Sequence, residues 1–331
     1  MARHILHTTI KKSLRERNGS PKRTIRNLVE LAENFSVGSQ LEFFRTVRSM
    51  LKSEACAYYS LWEALIRETD HDSLRTFGIN VGYNGCAAAS GILRAASRKH
   101  LCGIPSILTI VYDGRKMDCG LVDSIVRQGE TLGIHTYIVS DRGGNPVPLS
   151  TVFTGHRDSG FVVLTDGNTL CPDTVSKLTL GKNVMLSVSA DAAGFEESCE
   201  RLKKQRVLYC VHTEYDENRA DEILSGLWVG RIESLVGTFA LLIPREGVSE
   251  IKAAMVGAFA YSCRMEQRYP LILIDYGLDL PNVNRIVSSR SCLAGFDADG
   301  QLITEKGRTL GAGLNIISCS LLDVFSRGLA I

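Results

Sequence analysis

Between His71 and Asp275 short runs of β-branched and apolar residues alternate with longer stretches of helical period, and this alternation limits the fold more than any other feature. The runs at 76–82, 106–112, 134–140, 161–165, 183–190, 206–213, 235–243 and 271–275 predict eight strands. Helices are predicted between them at 87–101, 120–132, 150–156, 174–180, 195–204, 220–227 and 248–265. Neighbouring parallel strands need a crossover of about a dozen residues, and a helix is its usual form. The expected class is therefore α/β, a (β/α) barrel of full or partial TIM type. No glycine-rich dinucleotide fingerprint follows the first predicted strand, which argues against an open doubly wound sheet.

The flanks read differently. Residues 1–72 form a predicted helical amino-terminal cap, with Ile25, Leu28, Val29 and Ala32 at helical spacing and Leu41, Phe44, Val47 and Leu51 repeating it. The barrel is expected over 73–280. Residues 281–331 are expected to form a small carboxy-terminal extension, with a hairpin signalled by Asp299-Gly300 between apolar segments.

The 331 residues are 44% hydrophobic and 22% charged, which excludes disorder and suffices for a large core. No run approaches the roughly 18 apolar residues of a membrane span, and Met1 to Ile10 lacks a secretory pattern. A cytoplasmic protein is expected. None of its 10 cysteines forms a C-x2-C pair, so zinc-ribbon chemistry is excluded and buried reduced thiols are the plain reading. Met1 to Arg26 carries eight basic residues against one acid, Glu16, and could meet an acidic peptide or a partner enzyme. No basic groove interleaved with aromatics accompanies it, so nucleic acid is not expected. Homo-oligomerisation is left open.

In (β/α) barrels the carboxyl ends of the strands surround the active cavity. Those ends supply the ligand-binding candidates Asn80, Tyr83, Asn84, Asp113, Asp141, Asp166, Asp191, His212, Glu214, Arg245 and Asp275. Alternation puts Cys210, His212 and Glu214 on one face of a strand, a set able to act as acid and base. Each position alone is equally explained by turn entry or helix capping. Gly143-Gly144-Asn145, beside Pro146 and Pro148, reads as a turn.

The run Phe77-Gly-Ile-Asn-Val-Gly-Tyr-Asn-Gly-Cys86, followed by Ile107-Leu-Thr-Ile-Val-Tyr-Asp-Gly114, Leu121 to Gly133 and Ile134-His-Thr-Tyr-Ile-Val-Ser140, resembles the first strand-helix units of the radical S-adenosylmethionine superfamily. That family holds a 4Fe–4S cluster on a C-x3-C-x2-C loop after its first strand. It holds the amino group of S-adenosylmethionine on a Gly-Gly-Glu-Pro-like element after its second. In the register of the resemblance the three cysteine places fall on Cys86, Ser90 and Leu93, and the Gly-Gly-Glu-Pro place on Asp113-Gly114-Arg115-Lys116. One thiol of three cannot hold the cluster, and two cations repel the ammonium of the cosubstrate. The resemblance thus implies a protein without cofactor, a binding or scaffold subunit (a pseudoenzyme) for a peptide, a small molecule or a partner enzyme. Two alternatives remain: an atypical radical enzyme with a cluster on Cys86, Cys102 and Cys119, or a barrel enzyme using the acidic rim with His212 and Glu214.

Overall fold

The computed structural model describes residues 8, 21–34, 36, 38–236 and 238–330. It divides into two compact units, the first of Met1–Arg75 with Ser187–Asp279, the second of Thr76–Leu186 with Leu280–Ile331. In the first unit α1 (Pro21–Asn34), α2 (Ser39–Met50) and α3 (Ala57–Glu68) pack around Val29, Leu51, Cys56 and Tyr59. Arg26 lies over the Tyr59 ring, donates to its hydroxyl and pairs with Glu54 at 2.7 Å, as Lys22 does at 3.1 Å. Two cations of the basic arm thus hold this small core together. Arg3, Lys11, Lys12, Arg15 and Arg17 lie outside the described residues.

The stretch expected to be the first strand is helical. α4 (His71–Gly78), a π-helix (Ile79–Ala88) and α5 (Ala89–His100) follow one another without a break, so Thr76 to Gly82 carries no strand. The side chain of Asn80 donates to the carbonyls of Arg157 and Ser159, and that of Asn84 to the carbonyl of Asp158. Two amides four residues apart reach one segment only from one face of a helix, whereas a strand would spread them over about 13 Å. This pairing overrides the β-branched texture of Ile79 and Val81.

The sheet begins one unit later. The strands are β1 (Ile107–Tyr112), β2 (Thr136–Asp141), β3 (Gly160–Thr165), β4 (Val184–Ser189), β5 (Tyr209–Tyr215), β6 (Phe239–Pro244) and β7 (Ile272–Asp275). Between them run α6 (Cys119–Leu132), α7 (Leu149–Gly155), α8 (Pro172–Leu178), α9 (Phe195–Lys204), α10 (Glu217–Leu224), α11 (Leu227–Ile232) and α12 (Glu250–Glu266). After β7 come α13 (Tyr276–Ser288), β8 (Ala294–Phe296), β9 (Leu302–Thr304), β10 (Gly307–Arg308) and α14 (Leu321–Gly328). β1 to β7 neighbour one another in sequence order.

In the second unit β1 pairs in parallel with β2 on one side and with β8 on the other, and β8 continues into antiparallel β9 and β10. A closed TIM barrel would give that edge of β1 to its own eighth βα strand. The carboxy-terminal hairpin takes it instead, so the fold is α/β with a partial barrel and not a full one. Gly300 turns the hairpin at φ +77°, as Asp299-Gly300 foretells. Leu108, Ile110 and Tyr112 stand in register with Tyr137, Val139 and Asp141. Tyr137 donates to the carbonyl of Val126 on α6, which marks this face as the helix-covered one.

Candidate functional site

At the carboxyl ends of β1 and β2, in the second unit, Tyr112 and Asp141 lie side by side in register. Beyond Tyr112 the chain folds on itself: the Asp113 carboxylate accepts from the backbone amides of Arg115 at 2.9 Å and Met117 at 3.0 Å. Met117 is fully buried, and Asp118 caps α6 by accepting from the amide of Leu121, so Cys119 is already the first residue of a helix. Beyond Asp141 the turn is wider. Its carboxylate accepts from the amides of Gly143 at 3.0 Å and Gly144 at 3.1 Å, and Gly144 has φ +70°. The Asn145 side chain accepts from the amide of Val147, and Pro146 and Pro148 follow.

The two loops touch. A Cβ on Gly143 would lie 2.7 Å from the carbonyl oxygen of Asp113, and the amide of Arg142 donates to the carbonyl of Tyr112 at 2.8 Å. Burial raises the Asp141 carboxyl, opposed by the two glycine amides and helped by the charge of Asp166. Burial likewise raises the Tyr112 phenol, with Cys119, Asp141, Asp118 and Asp113 adding to it. Lys116 pairs with Asp299 at 2.8 Å. This end of the second unit therefore gathers the carboxylates Asp113, Asp141 and Asp166 beside the cations Arg115, Lys116 and Arg142, of which Lys116 is paired with Asp299.

The first unit uses its candidates differently. Asp191 accepts from the Thr213 hydroxyl at 2.6 Å and pairs with Arg219 at 2.8 Å. Asp275 accepts from the amide of Leu278 at 2.7 Å and from the hydroxyl of the buried Tyr215 at 3.3 Å, while its own amide donates to Asp279. Burial pushes its carboxyl up to about 6. These bonds fix the start of α13, a structural duty. Glu214 lies 3.8 Å from Arg245. Cys210, His212 and Glu214 do share a face, opposite that of Tyr215, but His212 is buried and its Nδ1 meets the Ser187 hydroxyl at 2.9 Å.

Asn80 and Asn84 belong to the π-helix and hold the segment that leads into β3, and Tyr83 lies between them. Cys86 is in the same π-helix, its thiol pushed up to about 11 by burial; Ser90 and Leu93 are in α5, Leu93 with no exposure. Cys102 is buried against Ser326. Among the described residues no three His, Cys, Asp or Glu side chains are grouped as a metal ion requires, so Cys86, Cys102 and Cys119 are not brought together.

With β1 as the first strand, every motif place moves by one unit. The place after the first strand becomes 113–119. The place after the second becomes Arg142-Gly143-Gly144-Asn145-Pro146, three residues of which match Gly-Gly-Glu-Pro. Tyr112, Gly143, Gly144 and Asn145 are the residues at these strand ends that sequence reasoning missed or took for a plain turn. Their signal was present as a glycine pair directly after a strand.

No family model matches the chain, and no curated protein matches it. The fold has solved counterparts among radical S-adenosylmethionine enzymes. Streptococcus suis SuiB matches with a TM-score of 0.50 at 13% identity over 71% of this chain and 69% of its own. SuiB bound to its precursor peptide SuiA matches with 0.50 at 11% identity over 70% and 67%. SuiB bound to S-adenosylmethionine gives 0.49 at 12% over 71% and 69%. Identities this low show a shared fold and no more. The expectation of a protein without cofactor is corrected on the ground of the fold alone: SuiB, a counterpart of this fold, has also been solved with S-adenosylmethionine bound. Among the described residues no helix is long and apolar enough to cross a membrane.

Proposed function

We propose that this chain is an atypical protein of the radical S-adenosylmethionine fold, one that binds S-adenosylmethionine at the turn after β2 and acts on a peptide. The observation that carries the reading is the Gly143-Gly144-Asn145-Pro146 turn, standing after the second parallel strand where the fold's relatives hold the amino group of the cosubstrate. Asp141 fixes that turn through two glycine amides, and Gly143 lies against the carbonyl of Asp113 with no room for a side chain. The ligand carries an ammonium and a sulfonium, and Asp141 and Asp166 supply the opposing charge, the Asp113 carboxylate being spent on its own loop. Asn145 offers an amide oxygen where relatives carry a carboxylate, which weakens the attraction without reversing it.

What makes the protein atypical is the loop after β1. A cubane cluster on such a loop needs three thiolates, and 113–119 carries one cysteine, at the first residue of α6. These residues do not fit the cluster. The peptide class is supported by SuiB, solved with a precursor peptide. His212 and Glu214 are the weaker choice for acid–base work, since the imidazole is buried against Ser187.

Calorimetry of S-adenosylmethionine into the aerobically purified chain tests the reading. Binding without added iron or sulfide is expected, weakened at least tenfold in Gly143→Val. No heat from the folded protein, or binding that appears only after anaerobic reconstitution of a cluster, overturns it.

A further inference from the structure

We propose that a cavity of about 630 Å³ at the amino ends of β1 and β8, in the second unit, is a second binding site, for a peptide segment that bears a carboxylate. Its walls are Gly103 ahead of β1, the Ser289-Arg290-Ser291 turn ahead of β8, and Glu305 and Lys306 at the tip of the β9–β10 hairpin. The volume lies in the range of small-ligand sites. The turn after β2 is at the other end of the strands, the length of β1 away, about 20 Å, so this is not the site described above.

Charge selects the ligand. Among the described residues neither Arg290 nor Lys306 has an ion-pair partner, and the hydroxyls of Ser289 and Ser291 make no hydrogen bond. Arg308, two residues beyond Lys306 in the same hairpin, pairs with both Asp297 and Asp299. Arg290 and Lys306 are exposed and face one cavity, where a guanidinium and an ammonium can together take an anion from outside. Glu305 also lines the cavity, which leaves a net charge of one and suits a carboxylate better than a dianionic phosphate. Beside Thr304 and Thr309, the rest of the wall offers apolar surface from Leu293, Leu329, Ala330 and the thiol of Cys292. A bare ion would leave it uncovered, whereas a peptide side chain covers it.

The backbone of the turn that carries the arginine is held in place. Ser289 has φ +69°, a left-handed conformation that costs about 1 kcal/mol outside glycine. Asn284 pins the far side by donating to the carbonyl of Cys292 at 2.5 Å, and Ser288 donates to the carbonyl of Asn284 at 2.8 Å. The turn therefore presents Arg290 to the cavity at a cost met by bonds on both flanks.

The choice of a peptide rests on the function proposed above; the site itself does not. Fluorescence anisotropy on the full chain tests it, with a labelled, end-capped octapeptide carrying central Glu-Leu-Glu and its Gln-Leu-Gln counterpart. The Glu peptide is expected to bind about tenfold tighter. R290A/K306A is expected to erase that preference with its circular dichroism and its S-adenosylmethionine calorimetry unchanged, and E305Q to tighten binding of the Glu peptide. Equal binding of both peptides, a preference that survives in folded R290A/K306A, or displacement of the peptide by inorganic phosphate at equal concentration overturns the proposal. A preference that persists in a chain showing no heat with S-adenosylmethionine sinks the cosubstrate reading alone.

Discussion

The loops after β1 and β2 leave neighbouring strands at the same level, yet they spend their polar groups differently. After β1 the Asp113 carboxylate turns inward, takes the amides of Arg115 and Met117, and leads at once into α6 through the Asp118 cap. After β2 the same kind of carboxylate, Asp141, takes two glycine amides, but the residues it orders are small, and one stands in left-handed backbone. A loop closed by its own buried side chain has no room for a ligand, whereas glycines leave the backbone open to one. The first loop is closed by its own side chains, and the second is built on glycines that pack against it.

The largest effect is expected where the two loops meet. Gly143→Val puts a Cβ 2.7 Å from the Asp113 carbonyl oxygen, and separating the loops should cost about 2–3 kcal/mol of stability, a typical figure for overpacking. Urea unfolding measures this; an unchanged midpoint would mean that the loops move independently and that the comparison is false.

Asp113→Ala comes next. It strands the amides of Arg115 and Met117 and should cost about 1–2 kcal/mol. Because the first loop is filled rather than functional, affinity for S-adenosylmethionine should change less than threefold, as read by calorimetry. A larger loss there would return the first loop to the site.

pH probes the helices that follow the loops. His156 ends α7, and its two ring nitrogens meet Glu130 at 2.8 Å and Asp123 at 3.2 Å, both on α6. Two carboxylates are both satisfied only when both nitrogens donate, and the hydrogen bond to Glu130 foremost raises the pKa of the ring. A raised folded-state value means that the stabilisation is complete below the ordinary imidazole value and disappears as pH climbs through the raised one. The melting temperature should fall by about 3 °C across that window, and His156→Gln should remove the dependence. A variant that keeps it assigns the pH effect elsewhere.

The smallest change is predicted for Asn145→Glu. Restoring a carboxylate to the second loop should tighten S-adenosylmethionine by about three- to fivefold, the worth of an exposed ion pair, and the gain should shrink in salt. Unchanged affinity would place the ammonium away from Asn145.

Much of this architecture could be read from the residues. The alternation from 106 onward locates β1 to β7, because a buried parallel strand must be an apolar run and a crossover must be long. Asp299-Gly300 locates the hairpin, since only a glycine takes φ +77° there without strain. The stretch from Thr76 to Gly82 could not be read, because its β-branched pattern was overruled by Asn80 and Asn84 bonding to residues more than 70 positions away. That single local misreading displaced every motif by one strand.

The sequence by itself determined the kinds of element and their order, since periodicity and turn chemistry act over a few residues. Only the tertiary structure decided which strand is first, which edge of β1 the carboxy-terminal hairpin occupies, and which of the acidic candidates spend their charge on helix starts. Each of those is settled by a partner far along the chain, and long-range pairing leaves no local trace to read.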